Sequence, residues 1–290
     1  MPRKNGLHTT KEGDMKQPKK ASKIVIYIVL SLGAIIMIVP FLWMFLTAFK
    51  STTEATQIDP FVILPSTWRL ESIKSAFTKL NLGRIYWNTM LMIAGRVVCA
   101  IVTASLAGYA LGRLKFKGKG ICFALIMLQM MVPTQIFIIP QYLMVNKLGL
   151  LNTIAALIFP GLITTFGTFL LRQSFMALPK DLEEAARLDG ANIGQTFLYV
   201  MAPLTKSSMV ALGIFTALFA YKDLMWPLVV NVDQAKIPIS AALAKLQGHH
   251  YTNYPELMAA SLLAIVPMIV LYLIFQRQFI EGIATSGGKL

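Results

Sequence analysis

The densest run of chemistry-bearing side chains is a polar stretch, Leu178 to Pro203, in which Glu184-Ala185-Ala186 is followed, after three intervening residues, by Gly190 and thirteen positions further on by Pro203. Catalysis finds no support there or elsewhere. The chain has no Gly-x-x-x-x-Gly-Lys-Ser/Thr phosphate loop, and Lys117-Gly-Lys-Gly120 is a basic turn without its spacing. His249 and His250 are adjacent, so on regular structure they point apart, unlike an i,i+4 zinc pair. Cys99 and Cys122 form no spaced framework, and no nucleophile stands at recognisable spacing from a base. What the stretch can offer is a binding surface of small residues edged with charge.

Its own pattern predicts two short helices. Leu178, Leu182, Ala185, Ala186 and Asp189 recur at helical spacing, with Pro179 suited to the first turn. Glu183 and Arg187 stand four apart on the outer side in the favourable order. Gly190 follows the last turn, where a residue free to adopt positive φ ends a helix. Asn192 then caps a second helix whose apolar positions Ile193, Thr196, Phe197 and Val200 share one face until Pro203 stops it. The plainer reading is a passive loop lying on a bilayer.

Composition sets the solvent for these elements. A hydrophobic content of 56% against 14% charged residues leaves too little polar surface for a soluble domain. Six stretches approach the roughly 20 apolar residues that a spanning helix needs. They run from 24 to 49, 88 to 111, 121 to 145, 153 to 171, 207 to 221 with an apolar continuation to 230, and 257 to 276. The fold class expected is an all-α membrane protein of six transmembrane helices. The first span is too long for a secretory h-region and lacks a small-x-small cleavage site, so it reads as a retained anchor.

Basic residues orient the bundle. Arg3, Lys4, Lys11, Lys16, Lys19, Lys20 and Lys23 precede the first span, Arg113, Lys115, Lys117 and Lys119 follow the second, and Arg172, Lys180, Arg187 and Lys206 mark the polar stretch. The opposite face is sparser, with Lys147, then Lys222, Lys236 and Lys245. Both termini and the polar stretch are therefore expected in the cytoplasm. This distribution accounts for the net charge of +14 without nucleic acid as a partner. The chain divides into a Lys-rich tail (1–23), a first helix with an external loop (24–84), a five-helix core (85–276) holding the 178–203 loop, and a C-terminal tail (277–290).

Glu-Ala-Ala-x-x-x-Gly with its downstream Pro, in a cytoplasmic loop before the fifth of six spans, resembles the EAA loop of ABC-transporter permeases. The resemblance to the maltose-type carbohydrate permeases extends along the chain. It includes Pro40, Trp43, Phe49-Lys50, Asn88-Thr89, the run from Tyr109 to Gly118, Leu150-Leu-Asn-Thr153, Trp226-Pro227 and Gln278-Phe-Ile-Glu-Gly282. Val200 and Ala202 depart from the usual Ile and Leu but stay apolar.

The resemblance implies a type I (MetI-like) ABC importer permease whose loop forms a coupling helix in a groove of an ATPase subunit. Glu184 would pair with a basic group of the ATPase, Ala185 and Ala186 would allow close approach, and Gly190 would make the bend. Asp189 would cap or orient it, and Pro203 closes the motif. The resemblance also implies a second homologous permease, two ATPase subunits carrying ATP and Mg, an extracytoplasmic sugar-binding protein, and residence in a bacterial cytoplasmic membrane. No cofactor is expected on this chain. Gly287 to Lys289 resembles cytoplasmic ends that meet the ATPases.

Within the spans, Ala100, Ala104, Gly108 and Gly112 form a small-residue stripe for close helix packing. Pro133, Pro140, Pro160 and Pro267 interrupt helices, which is tolerated where neighbours re-satisfy the freed carbonyls. Arg96 lies about 12 Å along the helix from Asn88, at a depth where a charge serves either a structural partner or a solute. Gln129, Gln135 and Gln141 are six apart and rotate across their helix. Trp226, Tyr221 and Asn231 suit an interfacial belt, and their chemistry also suits a sugar. No solute-binding residue is assigned. Two rivals are an ABC permease for a non-sugar solute and an ATP-independent secondary transporter, the latter lacking intramembrane coupling acids and an evident repeat.

Overall fold

The computed structural model describes residues 20–248 and 252–287, and among these it contains helices and no strands. His249, His250, the first five basic residues of the tail, Gly288 and Lys289 lie outside the described residues.

The uncharged first stretch forms α1 (Lys20–Ala48). Two short helices, α2 (Thr52–Thr56) and α3 (Glu71–Lys79), cover the end of the bundle where α1 stops. α4 (Leu82–Arg113) is the central rod, 32 residues long, or about 48 Å at 1.5 Å per residue. After it come α5 (Lys119–Met131), α6 (Ile138–Lys147), α7 (Ile154–Ile158) and α8 (Thr165–Ala177). The polar stretch supplies α9 (Asp181–Leu188), α10 (Ile193–Gln195) and α11 (Ala202–Leu204). The chain closes with α12 (Lys206–Lys222), α13 (Met225–Val230), α14 (Ile239–Lys245) and α15 (Tyr254–Gly287).

Three helices, α1, α4 and α15, are long and apolar enough to cross a membrane alone, and the count reaches six only if each of three bent pairs is one span. The expected third span is not continuous: it bends by 103° between α5 and α6, where Pro133 interrupts the amide ladder. The fourth bends by 48° ahead of α8, beside a 3₁₀ turn that contains Pro160. Beyond the fifth, the apolar continuation is a separate helix, α13, after a turn at Asp223. Pro267 is accommodated inside α15 and Pro140 inside α6.

The small-residue stripe does the packing expected of it. Ala100 and Ala104 are fully buried on α4, and a methyl at Gly108 would stand 2.9 Å from the Arg172 amide nitrogen on α8. Only glycine lets the two backbones approach this closely. Ala48, at the end of α1, packs against Ala259 and Ala260 near the start of α15. The two helices are therefore antiparallel, and Lys20 and the C-terminal end of α15 share a face. Leu82, at the start of α4, packs with Ala264 near the opposite face. Arg113, and the polar stretch it touches, thus lie on the face shared by Lys20 and the C-terminal end of α15.

Candidate functional site

Asp181, Glu183 and Glu184 fill the first turn of α9 and Arg187 its last, each sign matching the helix dipole. Pro179 precedes the helix rather than opening it, since Lys180 is the residue at its N-terminal boundary. At the other end Gly190 has φ +82°, and its amide and that of Ala191 donate to the Arg187 and Ala186 carbonyls at 3.0 and 2.9 Å. This is the bonding of a Schellman motif, which needs a left-handed residue where Gly190 stands. Asp189 occupies the C-cap position with its side chain exposed.

The second segment starts with a full capping box. Asn192 Oδ1 accepts from the Gln195 amide, and Gln195 Oε1 accepts from the Asn192 amide, both at 2.9 Å. Beyond it the helix widens into a π turn over Thr196–Met201 and runs through Pro203 to Leu204. The expectation that Pro203 stops the helix is therefore corrected. An i→i+5 turn just upstream accommodates a residue that lacks an amide, and the break falls at Thr205 with a bend of 75° into α12.

The widened turn also alters the predicted face. Thr196, Phe197 and Met201 are buried, Val200 is half-buried and Ile193 is exposed. Phe197 stacks into a cluster with Tyr109 of α4 and Phe175 of α8, at centroid distances of 5.2 and 6.1 Å.

Glu183 departs most from its expected place. It does not pair with Arg187 on the outside but turns inward, where its Oε2 lies 3.2 Å from Arg113 Nε. Arg113 also donates from Nη1 to the Leu178 carbonyl (3.1 Å) and from Nη2 to the Pro179 carbonyl (2.9 Å). Ala186, three residues on from Glu183, is buried on the same side of α9. Glu184, Ala185, Leu188, Asp189 and Gly190 face outward, and Leu188 is 89% exposed. Ile193, Leu198, Tyr199, Leu204 and the ring of Pro203 extend this surface. A cavity of about 570 Å³ opens at the elbow, lined by Tyr109, Arg187, Ala191, Asn192, Ile193, Gly194 and Thr196. Small side chains and acids stand beside exposed leucine and tyrosine on this surface.

The deeper polar residues turn out to be structural. Arg96 Nη2 lies 2.8 Å from Asp223 Oδ2, and Arg96 Nε donates to the Leu157 carbonyl at 2.7 Å. Of the two roles open to Arg96, the structural partner is the one observed. Trp226 and Asn231 are not interfacial: Trp226 is buried and donates from Nε1 to the Ala156 carbonyl at 2.8 Å. Asn231 is fully buried, its amide donating to the Thr153 and Lys236 carbonyls. Tyr221 is half-buried and donates to the Ala264 carbonyl. Asn88 donates to the Ala235 and Ile237 carbonyls, and Thr89 accepts from the Ile239 amide at 3.0 Å. In the loop after α1, hydrogen bonds from Ser66, then Ser51, hold the Glu54 carboxyl well below its usual range, to about 2. Gln129 and Gln135 are exposed while Gln141 is half-buried, so the three do not line one surface.

The contacts of Arg113 are not readable from the residues, where it is only the basic last residue of an apolar helix. Among the described residues there is no cluster of three or more His, Cys, Asp or Glu that could hold a metal.

A bent, polar, two-helix elbow on one face of a mostly apolar helical bundle suits a membrane permease subunit. Residues 100–283 match the model of the binding-protein-dependent transport system inner membrane component, and the chain belongs to that family. It is 34% identical to the arabinooligosaccharides transport system permease protein AraQ of Halalkalibacterium halodurans, over 88% of this chain and 92% of that protein. It is 32% identical to the diacetylchitobiose uptake system permease protein NgcG of Streptomyces coelicolor, over 89% of this chain and 86% of that protein. The fold matches a chain in the crystal structure of a bacterial ABC transporter involved in the import of the acidic polysaccharide alginate. The TM-score is 0.76, with 24% identity, over 90% of this chain and 98% of that one.

Proposed function

We propose that this chain is one of two permease subunits of an ATP-driven importer of oligosaccharides in a bacterial cytoplasmic membrane. Both termini and the α9–α11 elbow face the cytoplasm. The cargo class rests on the relatives' sugars, and the orientation on the Lys and Arg bias toward the elbow face. On this reading a second permease completes the path, two ATPase subunits bind and hydrolyse ATP with Mg, and an extracytoplasmic binding protein delivers the sugar. α1, with nothing in its membrane-crossing window buried, leaves apolar surface for lipid and for the second permease.

The observation that carries the coupling role is the two-sided construction of α9. Its inner side is held by Arg113 and by the packing of Ala186, while Glu184, Ala185, Asp189 and Gly190 remain outward. In the proposed complex Glu184 meets a basic group of the ATPase, and the alanines admit its groove wall. Gly190 sets the elbow angle, and Pro203 keeps the second arm apolar and short of amides.

Replacing Glu184 with Lys tests the role. The variant should insert normally, because the residue lies outside the spans, yet lose its ATPase subunits or their solute-stimulated hydrolysis. Wild-type stimulation in that variant would sink the assignment.

A further inference from the structure

We infer that Arg113 is a positioning residue that locks the docking helix α9 to the α4 rod, making α4 the element that carries ATPase motion across the membrane; this rests on the permease reading above. The Arg113 side chain is only 5% exposed although it stands at the rim of the bundle. Its guanidinium grips the leading edge of α9 at the Leu178 carbonyl, the Pro179 carbonyl and the Glu183 carboxylate. A planar fork can donate to two carbonyls while its charge faces a carboxylate, whereas a lysine ammonium is a compact point charge on a flexible stem. Tyr109, one turn back on α4, flanks the same carboxylate.

Apolar packing also joins the elbow to the bundle through Phe197 and Met201. Apolar contacts are non-directional and permit sliding. A grip of two hydrogen bonds and an ion pair does not, because any shift of α9 against α4 breaks bonds to two backbone carbonyls that are fixed in the chain.

What α4 holds at its other stations gives the grip its consequence. Midway, Arg96 reaches Asp223 at the α12–α13 turn and the Leu157 carbonyl at the end of α7. Near the outer end, Asn88 and Thr89 hold the backbone of residues 235 to 239. The rod is unbroken between these points. A displacement of α9 therefore reaches the outer segment and the bent fourth and fifth spans together. The same path run backwards would carry the arrival of a binding protein to the ATPases.

The reverse direction gives the test. The complete complex is purified with Arg113 intact, as Arg113→Ala, as Arg113→Lys, and as Glu183→Gln, which keeps both carbonyl contacts. ATP hydrolysis is measured alone and with the extracytoplasmic binding protein as isolated with its endogenous solute. Arg113→Ala should retain the ATPase subunits and a basal rate within about twofold of wild type, while stimulation by the binding protein falls to near one. Arg113→Lys and Glu183→Gln should recover part of the stimulation. Undiminished stimulation in Arg113→Ala overturns the inference. So does loss of the ATPase subunits in that variant, which would make Arg113 a support of the docking surface instead. A wild-type complex with no ATPase bound, or none stimulated, fails the permease reading itself.

Discussion

Replacing Gly108 with alanine places a methyl carbon 2.9 Å from the Arg172 amide nitrogen and 3.1 Å from the Leu171 carbonyl carbon. The first distance is about half an ångström inside the lower edge of ordinary contact. The atoms it meets belong to the α8 backbone, which cannot turn aside as a flexible side chain can. α4 and α8 must then separate along a seam that includes Ala104, Leu171 and Phe175. Overpacking of this kind costs about 1–3 kcal/mol, and the better helix propensity of alanine returns about 1 kcal/mol. A net loss of up to about 2 kcal/mol corresponds to a melting temperature lower by up to about 8 °C in a chain of this size. Thermal unfolding in mild detergent, followed by size-exclusion chromatography, measures it. Gly33→Ala is the control, because nothing lies within 4 Å of the added methyl, and it should show no loss. A Gly108→Ala protein as stable as the Gly33→Ala control would refute close α4–α8 approach as the reason for glycine.

Arg96→Met should destabilise by about 3 kcal/mol, because it strands a largely buried Asp223 carboxylate. The paired change Arg96→Met with Asp223→Leu should recover most of that, and a double variant no better than the single would contradict a structural role for the pair. In the loop after α1, the Glu54 carboxyl is held at about 2 against an ordinary 4.5. Its contribution to the order of the 51–66 loop is therefore fully present above pH 4.5 and lost as pH falls toward 2. Limited proteolysis by an acid protease should cut that loop sharply faster at pH 2 than at pH 5. Relative to wild type at the same pH, Glu54→Gln should be cut faster at pH 5 and at about the same rate at pH 2.

Much of this architecture is legible in the residues, for reasons that can be stated. Spans α1, α4 and α15 are long uninterrupted apolar runs, and the small-residue stripe of α4 needs only i,i+4 counting to predict a close neighbour. Gly190 and Asn192 report their own local geometry, since a left-handed residue and a capping box depend on a few adjacent positions. What stays hidden depends on partners distant in the chain. Glu183 reads as a surface acid beside Arg187 until the fold brings Arg113, seventy positions earlier, against it. Trp226 and Asn231 look interfacial by type, and only the packing of α7 and the 231–239 segment buries them. The π turn before Pro203 is invisible because proline normally marks an end, and the widened turn removes the conflict.

The central claim is that the α9–α11 elbow seats an ATPase. The most direct test is to purify the chain from its native membrane in mild detergent, identify everything that stays bound by mass spectrometry, and assay the eluate for ATP hydrolysis. A Walker-motif ATPase and a second permease are expected in the same particle, with hydrolysis. Repeated recovery of this chain alone, without ATPase activity, would contradict it.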